Sequence, residues 1–272
     1  MASMNKIELL EPRRLFNTAD LSGSVLTILG NSQSNKITVG ETNGAITVDF
    51  GGKPSGNSPF TGVKSIVIKG NDGNDTITVE STVASGINLN VSGGNGNDSI
   101  TLDGGHGSVA GGAGADHIAI DDAVYDANGG LGKDTITAAG GANEILHGGD
   151  GADSIGVTGG GYDLVYGGSG GNTFDIVGGY DTVISGSGHD NVTADGGADA
   201  LLFDMSGGDT VTGNVDSLLG ADTIYTAGHH DSITEGPNDV TNPDGKTHPP
   251  KAAKLLAYLE ALTDPSQLPP TI

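Results

Sequence analysis

"NVSGGNGNDSITLDGG", residues Asn90 to Gly105, decides how the rest of this chain is read. Five of its sixteen positions are glycine, the residue that loses most backbone entropy on folding. Such a run is either a flexible linker or a turn that only glycine can make. The residues after the glycines favour the turn. In Asp98-Ser99-Ile100-Thr101-Leu102 polar and apolar side chains alternate, the two-residue period of a β-strand, which puts Ile100 and Leu102 on one face.

The unit recurs, and a linker has no reason to keep a period. "GGNGNDSIT" begins at Gly93; its copies are "GGAGADHIA" from Gly111, "GGLGKDTIT" from Gly129, "GGDGADSIG" from Gly148, "GGSGGNTFD" from Gly167 and "SGSGHDNVT" from Ser185. An earlier copy, "GNDGNDTIT", starts at Gly70, with weaker echoes from Gly30 and Ala227. Most successive copies begin about 18 residues apart, so each unit is too small to bury a face alone and becomes stable only by stacking on its neighbours. The fold class expected is all-β: a right-handed parallel β-roll, or β-solenoid, of roughly 18-residue coils. Its narrow core takes Ile77, Val79, Ile100, Leu102, Ile118, Ile120, Ile136, Ile155, Val157, Phe174, Ile176 and Val192. Thr76, Ser99, His117, Thr135 and Ser154 fall on the outward face of the same strands.

Composition narrows the function. The 272 residues include 49 glycines and no tryptophan or cysteine, which excludes disulfides, thiolate metal sites and thiol nucleophiles. Net charge is −23, and between residues 70 and 245 Lys133 is the only lysine or arginine. A block of this kind repels nucleic acid and anionic membranes, and repels itself when compact, so it calls for counter-cations. No stretch is long and apolar enough to span a membrane, and the N-terminus lacks the apolar core of an ordinary cleaved signal peptide.

The repeat GGxGxDxUx, with U a large apolar residue, is similar to that of the calcium-binding repeats-in-toxin (RTX) family. The resemblance covers residues 70–193 closely and 24–235 loosely. It implies a β-roll in which Ca²⁺ ions sit between the glycine turns of successive coils, held by aspartate carboxylates and backbone carbonyls. By motif position the carboxylate ligands would be Asp75, Asp98, Asp116, Asp134, Asp153 and Asp190, with Asn172 in the equivalent place of the copy from Gly167, where one charge is lost. The donor chemistry agrees without the family: calcium takes six to eight hard oxygen ligands, and a glycine turn aims carbonyls where side chains would block them. The turns offer neither sulfur nor a set of imidazoles for zinc or copper.

An 18-residue coil has a second turn on the opposite edge, and there the motif is degraded: "GGHGSVA" from Gly104, "GGANEIL" from Gly140, "GGGYDLV" from Gly159, "GGYDTVI" from Gly178 and "GGADALL" from Gly196. The expectation is a one-sided ladder of about five or six ions, with Asp163, Asp181 and Asp199 left as solvated turn residues.

The flanks complete the plan. Residues 1–20 read as a leader or tail, 21–69 as strands capping the solenoid, 70–193 as the best repeats, 194–235 as degenerate coils, and 236–272 as a linker and short C-terminal helix with Leu255, Leu256, Leu259 and Leu262 on one face. "LLEPRRLF" at 9–16 resembles an N-terminal motif of exported and surface proteins of planctomycetes and related bacteria, which points to secretion or the cell surface. "GGSGG" around Ser169 formally matches a G-x-S-x-G nucleophile elbow, but that motif requires a strand-to-helix turn; no H-E-x-x-H occurs, and His229-His230 reads as a turn pair. The function expected is a non-enzymatic calcium-binding structural module that folds on binding Ca²⁺. The alternatives are the calcium-stabilised tail of a secreted hydrolase or carbohydrate-active protein, and a solenoid that adheres to extracellular polysaccharide.

Overall fold

The computed structural model describes residues 17–140, 143–195, 201–203, 208–214, 223–225, 232–234 and 240–242. The expected leader motif and C-terminal helix, together with Asp199 and His229-His230, lie outside the described residues, as does the expected linker apart from Val240–Asn242, which is a strand paired in parallel with Thr223–Tyr225.

Because each coil is two strands joined by two turns, the chain lays down two sheets at once. Both have twelve strands, and each grows by one strand per coil. One sheet stacks Asn88–Asn95, His106–Ala113, Val124–Leu131, Ile145–Asp150 and Leu164–Ser169 in parallel register. The other stacks Ser99–Leu102, His117–Asp121, Thr135–Gly140, Ser154–Gly159, Thr173–Val177 and Asn191–Asp195. This is the all-β parallel solenoid expected from the repeat, and the described residues contain no helix.

Register carries like residues onto like. Ile77, Ile100, Ile118, Ile136, Ile155, Phe174 and Val192 form one unbroken buried column, and Val79, Leu102, Ile120, Ala138, Val157, Ile176 and Ala194 a second. The opposite sheet contributes Ile68, Val91, Val109, Ala127, Leu146, Val165 and Val183. Each fully buried aliphatic side chain contributes roughly 1.5–3 kcal/mol, and a coil has only a handful, so stability accumulates coil by coil. Tyr125 and Phe174 are the aromatic departures among the buried repeat residues described. Tyr125 lies on the opposite sheet. It fits beside Gly105 and Gly107 of the preceding coil, where its hydroxyl donates to the Gly104 carbonyl at 2.7 Å.

The N-terminal strands close the stack. Thr18–Ser22 runs antiparallel to Val25–Leu29, and Lys36–Thr42 runs antiparallel to Ala45–Phe50, while Val25–Leu29 and Lys36–Thr42 pair in parallel with the first repeat coil. Hairpins at this end replace the exposed edge that a bare parallel stack would present. Ser169 ends a strand and passes through glycine into Thr173–Val177, with its hydroxyl donating to Asp150, so the strand-to-helix elbow is absent there.

Candidate metal centre

The glycine turns bring the motif's sixth residues into a single file. Asp75, Asp98, Asp116, Asp134, Asp153, Asn172 and Asp190 are all buried, at no more than 2 % exposure, although six of the seven are acidic. The file continues in both directions to Asn35 and Asp209, which are buried too.

One hydrogen-bond pattern links neighbours. The Asp75 amide donates to Oδ1 of Asp98 at 2.7 Å, that of Asp98 to Asp116 at 2.8 Å, of Asp116 to Asp134 at 2.8 Å and of Asp134 to Asp153 at 2.8 Å. Asp153 donates to Oδ1 of Asn172, Asn172 to Asp190 and Asp190 to Asp209, at 2.9, 2.7 and 2.7 Å. Most links join residues 18 or 19 apart; the Asp75–Asp98 link spans 23. Backbone carbonyls are used as fully: Asp98 accepts from His117, Asp116 from Thr135 and Asp134 from Ser154.

What remains is the second carboxylate oxygen. Oδ2 of Asp75, Asp98, Asp116, Asp134 and Asp153 is buried and has no hydrogen-bond partner. Each lies against the first glycine of its own turn and faces the carbonyl of the corresponding glycine one coil on. A Cβ placed on Gly111 would stand 2.5 Å from Oδ2 of Asp116 and 2.6 Å from the Gly129 carbonyl oxygen; on Gly129 it would stand 2.6 Å from Oδ2 of Asp134 and 2.6 Å from the Gly148 oxygen. Glycine is required at these places because a side chain would occupy the space between two acceptors.

Two acceptors so placed with no donor between them are electrostatically unfavourable, and burial adds its own cost to the charged form. Burial pushes Asp98 and Asp134 up to about 6, and raises Asp75, Asp116, Asp153 and Asp190. The accepted hydrogen bonds offset part of this, while the charge of neighbouring rungs adds to it at Asp98 and Asp134. A cation or a proton at Oδ2 would remove the conflict. Carboxylates arrive one per coil, and among the described residues no three His, Cys, Asp or Glu side chains converge. An ion between coils would therefore draw most of its ligands from backbone carbonyls, a donor set that suits a hard cation such as Ca²⁺.

The opposite edge differs from expectation. Asp163 and Asp181 are buried rather than solvated, and Glu144 joins them at 4 % exposure. The Glu144 amide donates to Oδ1 of Asp163 at 2.8 Å and the Asp163 amide to Oδ1 of Asp181 at 3.0 Å, so this edge has a short stack of its own. Burial, then contact with Asp163, pushes Glu144 up to about 8, and burial pushes Asp181 to about 7. Outside it, the exposed rings of Tyr162 and Tyr180 stack at 5.1 Å. The sequence signal was present: the three acidic residues repeat at 19 and 18, the step of the main file. Loss of the motif's first glycine concealed it, since Ala139 and Thr158 pair in register there.

No family model matches the chain, and no curated protein or solved structure matches it significantly. Fold and site together define a parallel β-solenoid whose coils are joined along one edge by a long file of buried carboxyls and along the other by a short one.

Proposed function

We propose that the protein is a calcium-binding structural module of the RTX type, in which Ca²⁺ lodges between successive glycine turns and converts binding free energy into folding free energy. The observation that carries this reading is the row of buried, unpartnered Oδ2 atoms, each opposite a backbone carbonyl. Asp75, Asp98, Asp116, Asp134, Asp153 and Asp190 are the carboxylate ligands in this reading. Support comes also from the net charge of −23, which a set of divalent ions would partly neutralise.

Extracellular calcium modules bind at about 10⁻⁴ to 10⁻³ M, well above cytoplasmic free calcium, so such a chain would stay loose inside a cell and fold after export to the surface or medium. Spacing or adhesion outside the cell is the role proposed, with no catalytic step. Calorimetric titration of the full chain against a variant with the six aspartates changed to alanine tests it: several ions per wild-type chain and few in the variant are expected. Equal ion counts would overturn the assignment.

A further inference from the structure

Asn172 has the position of a ladder aspartate but different hydrogen-bond chemistry. Its Oδ1 accepts the Asp153 amide at 2.9 Å, as each aspartate Oδ1 accepts from the rung before it. Its other terminal atom is a donor. Nδ2 donates to the Gly170 carbonyl at 3.3 Å and to the Ser185 carbonyl at 3.5 Å. Ser185 is the first residue of the following turn, the counterpart of the glycine whose carbonyl faces Oδ2 at the acidic rungs. A Cβ on Gly167 would meet this same pair, Ser185 O and Asn172 Nδ2. The amide nitrogen thus sits where the unpartnered oxygen sits in the other coils, and it meets the carbonyl that oxygen leaves unmet.

Asn35 also places an amide donor at the far end, toward different partners. Its Nδ2 donates to Oδ1 of Asp75 at 2.9 Å, to the Asn31 carbonyl at 3.4 Å and to the Gln33 carbonyl. Five carboxyl rungs, Asp75 to Asp153, are thus bounded by an amide at each end. An N–H pointing into the space turns a cation away, and the carbonyl it occupies is withdrawn from coordination.

We infer that Asn172 is a rung closed by its own amide, which holds its coil together without an ion and divides the ladder into two separately loaded blocks, Asp75 to Asp153 and Asp190 onward. The inference rests on the calcium reading for its ion counts. Its stability consequence does not: an amide satisfies a rung that a carboxylate leaves open, whatever fills the open ones.

The test uses the full chain as wild type, Asn172→Asp and Asp116→Asn. Calcium stoichiometry is read by calorimetry, and the urea midpoint in chelator by far-ultraviolet circular dichroism. Asn172→Asp should bind at least one more ion than wild type and Asp116→Asn at least one fewer. In chelator the order of midpoints should be Asp116→Asn above wild type and wild type above Asn172→Asp. An unchanged ion count in Asn172→Asp overturns the inference, as does an unchanged midpoint order. If wild type binds no calcium, the calcium reading fails and the chelator midpoints alone decide for or against the closed rung. If Asn172→Asp does not fold in chelator, its ion count in saturating calcium and the Asp116→Asn pair still decide.

Discussion

Gly130 is a position where one added methyl should clearly damage the solenoid. It lies in register between Gly112 and Gly149 of adjacent coils, with φ of +110°, a region that side chains rarely adopt. A Cβ there would run into the Gly112 carbonyl oxygen and come within 3.0 Å of that residue's carbonyl carbon and 3.1 Å of its nitrogen. All three are backbone atoms tied into the sheet, so no rotamer change relieves the contact. Strained φ costs about 1–3 kcal/mol and overpacking about as much again, so Gly130→Ala should lose roughly 2–6 kcal/mol. Gly160→Ala is the matched control, because a Cβ at Gly160 meets nothing within 4 Å and its φ lies outside the left-handed region. That change should be neutral or gain about 0.4–1 kcal/mol by restricting the unfolded chain. Urea unfolding in millimolar calcium, followed by far-ultraviolet circular dichroism, measures both. Stabilities within about 1 kcal/mol of each other would refute the claim that close backbone approach between coils demands glycine at this turn position.

Other perturbations reach the core, the buried hydroxyl and the short stack. Phe174→Ala empties a fully buried place in the continuous column and should cost about 3–5 kcal/mol by urea midpoint. Tyr125→Phe leaves the Gly104 carbonyl without its donor and should cost about 0.5–1.5 kcal/mol, whereas an unchanged midpoint would show that water replaces the bond. The short stack makes stability depend on pH with a definite sign. Glu144 has a folded value of about 8 against an ordinary 4.5, so its protonated form favours the native state. That contribution is fully present below pH 4.5 and is lost as pH rises through 8; Glu144→Gln should flatten this part of the profile of urea midpoint against pH. A profile equally steep in the variant would assign the dependence to other groups.

The repeat was legible because its chemistry is local. Glycines at fixed offsets, one acidic residue and an alternating apolar pair announce turn and strand together, and the buried columns from Ile77 to Val192 and from Val79 to Ala194 arise from that pattern. The sixth-position aspartates could be placed in one file from spacing alone. Their burial could not, since an aspartate in a glycine-rich turn reads as solvated until the next coil covers it. The same assumption hid Glu144, Asp163 and Asp181, whose turns had lost the first glycine of the motif. Asn35 is the sixth residue of the weak echo from Gly30, but its link to the ladder was hidden by spacing: 40 residues separate it from Asp75, because the antiparallel strands Ala45–Phe50 and Phe60–Thr61 are inserted within that coil. Asp209 lacks the full motif around it, and only its pairing with Asp190 reveals it as a further rung. Pairing register, a property of neighbours rather than of a segment, supplied what the local pattern lacked.

The central claim is that ions complete the carboxyl ladder and thereby hold the coils together. Far-ultraviolet circular dichroism of the full chain at neutral pH, in chelator and then in millimolar calcium, tests it most directly. The account predicts a weakened strand signal that is lost at low urea in chelator and a large, reversible gain on adding calcium, with magnesium a poor substitute because it keeps its waters and demands a tighter octahedron. Identical strand content in chelator and in calcium would contradict it.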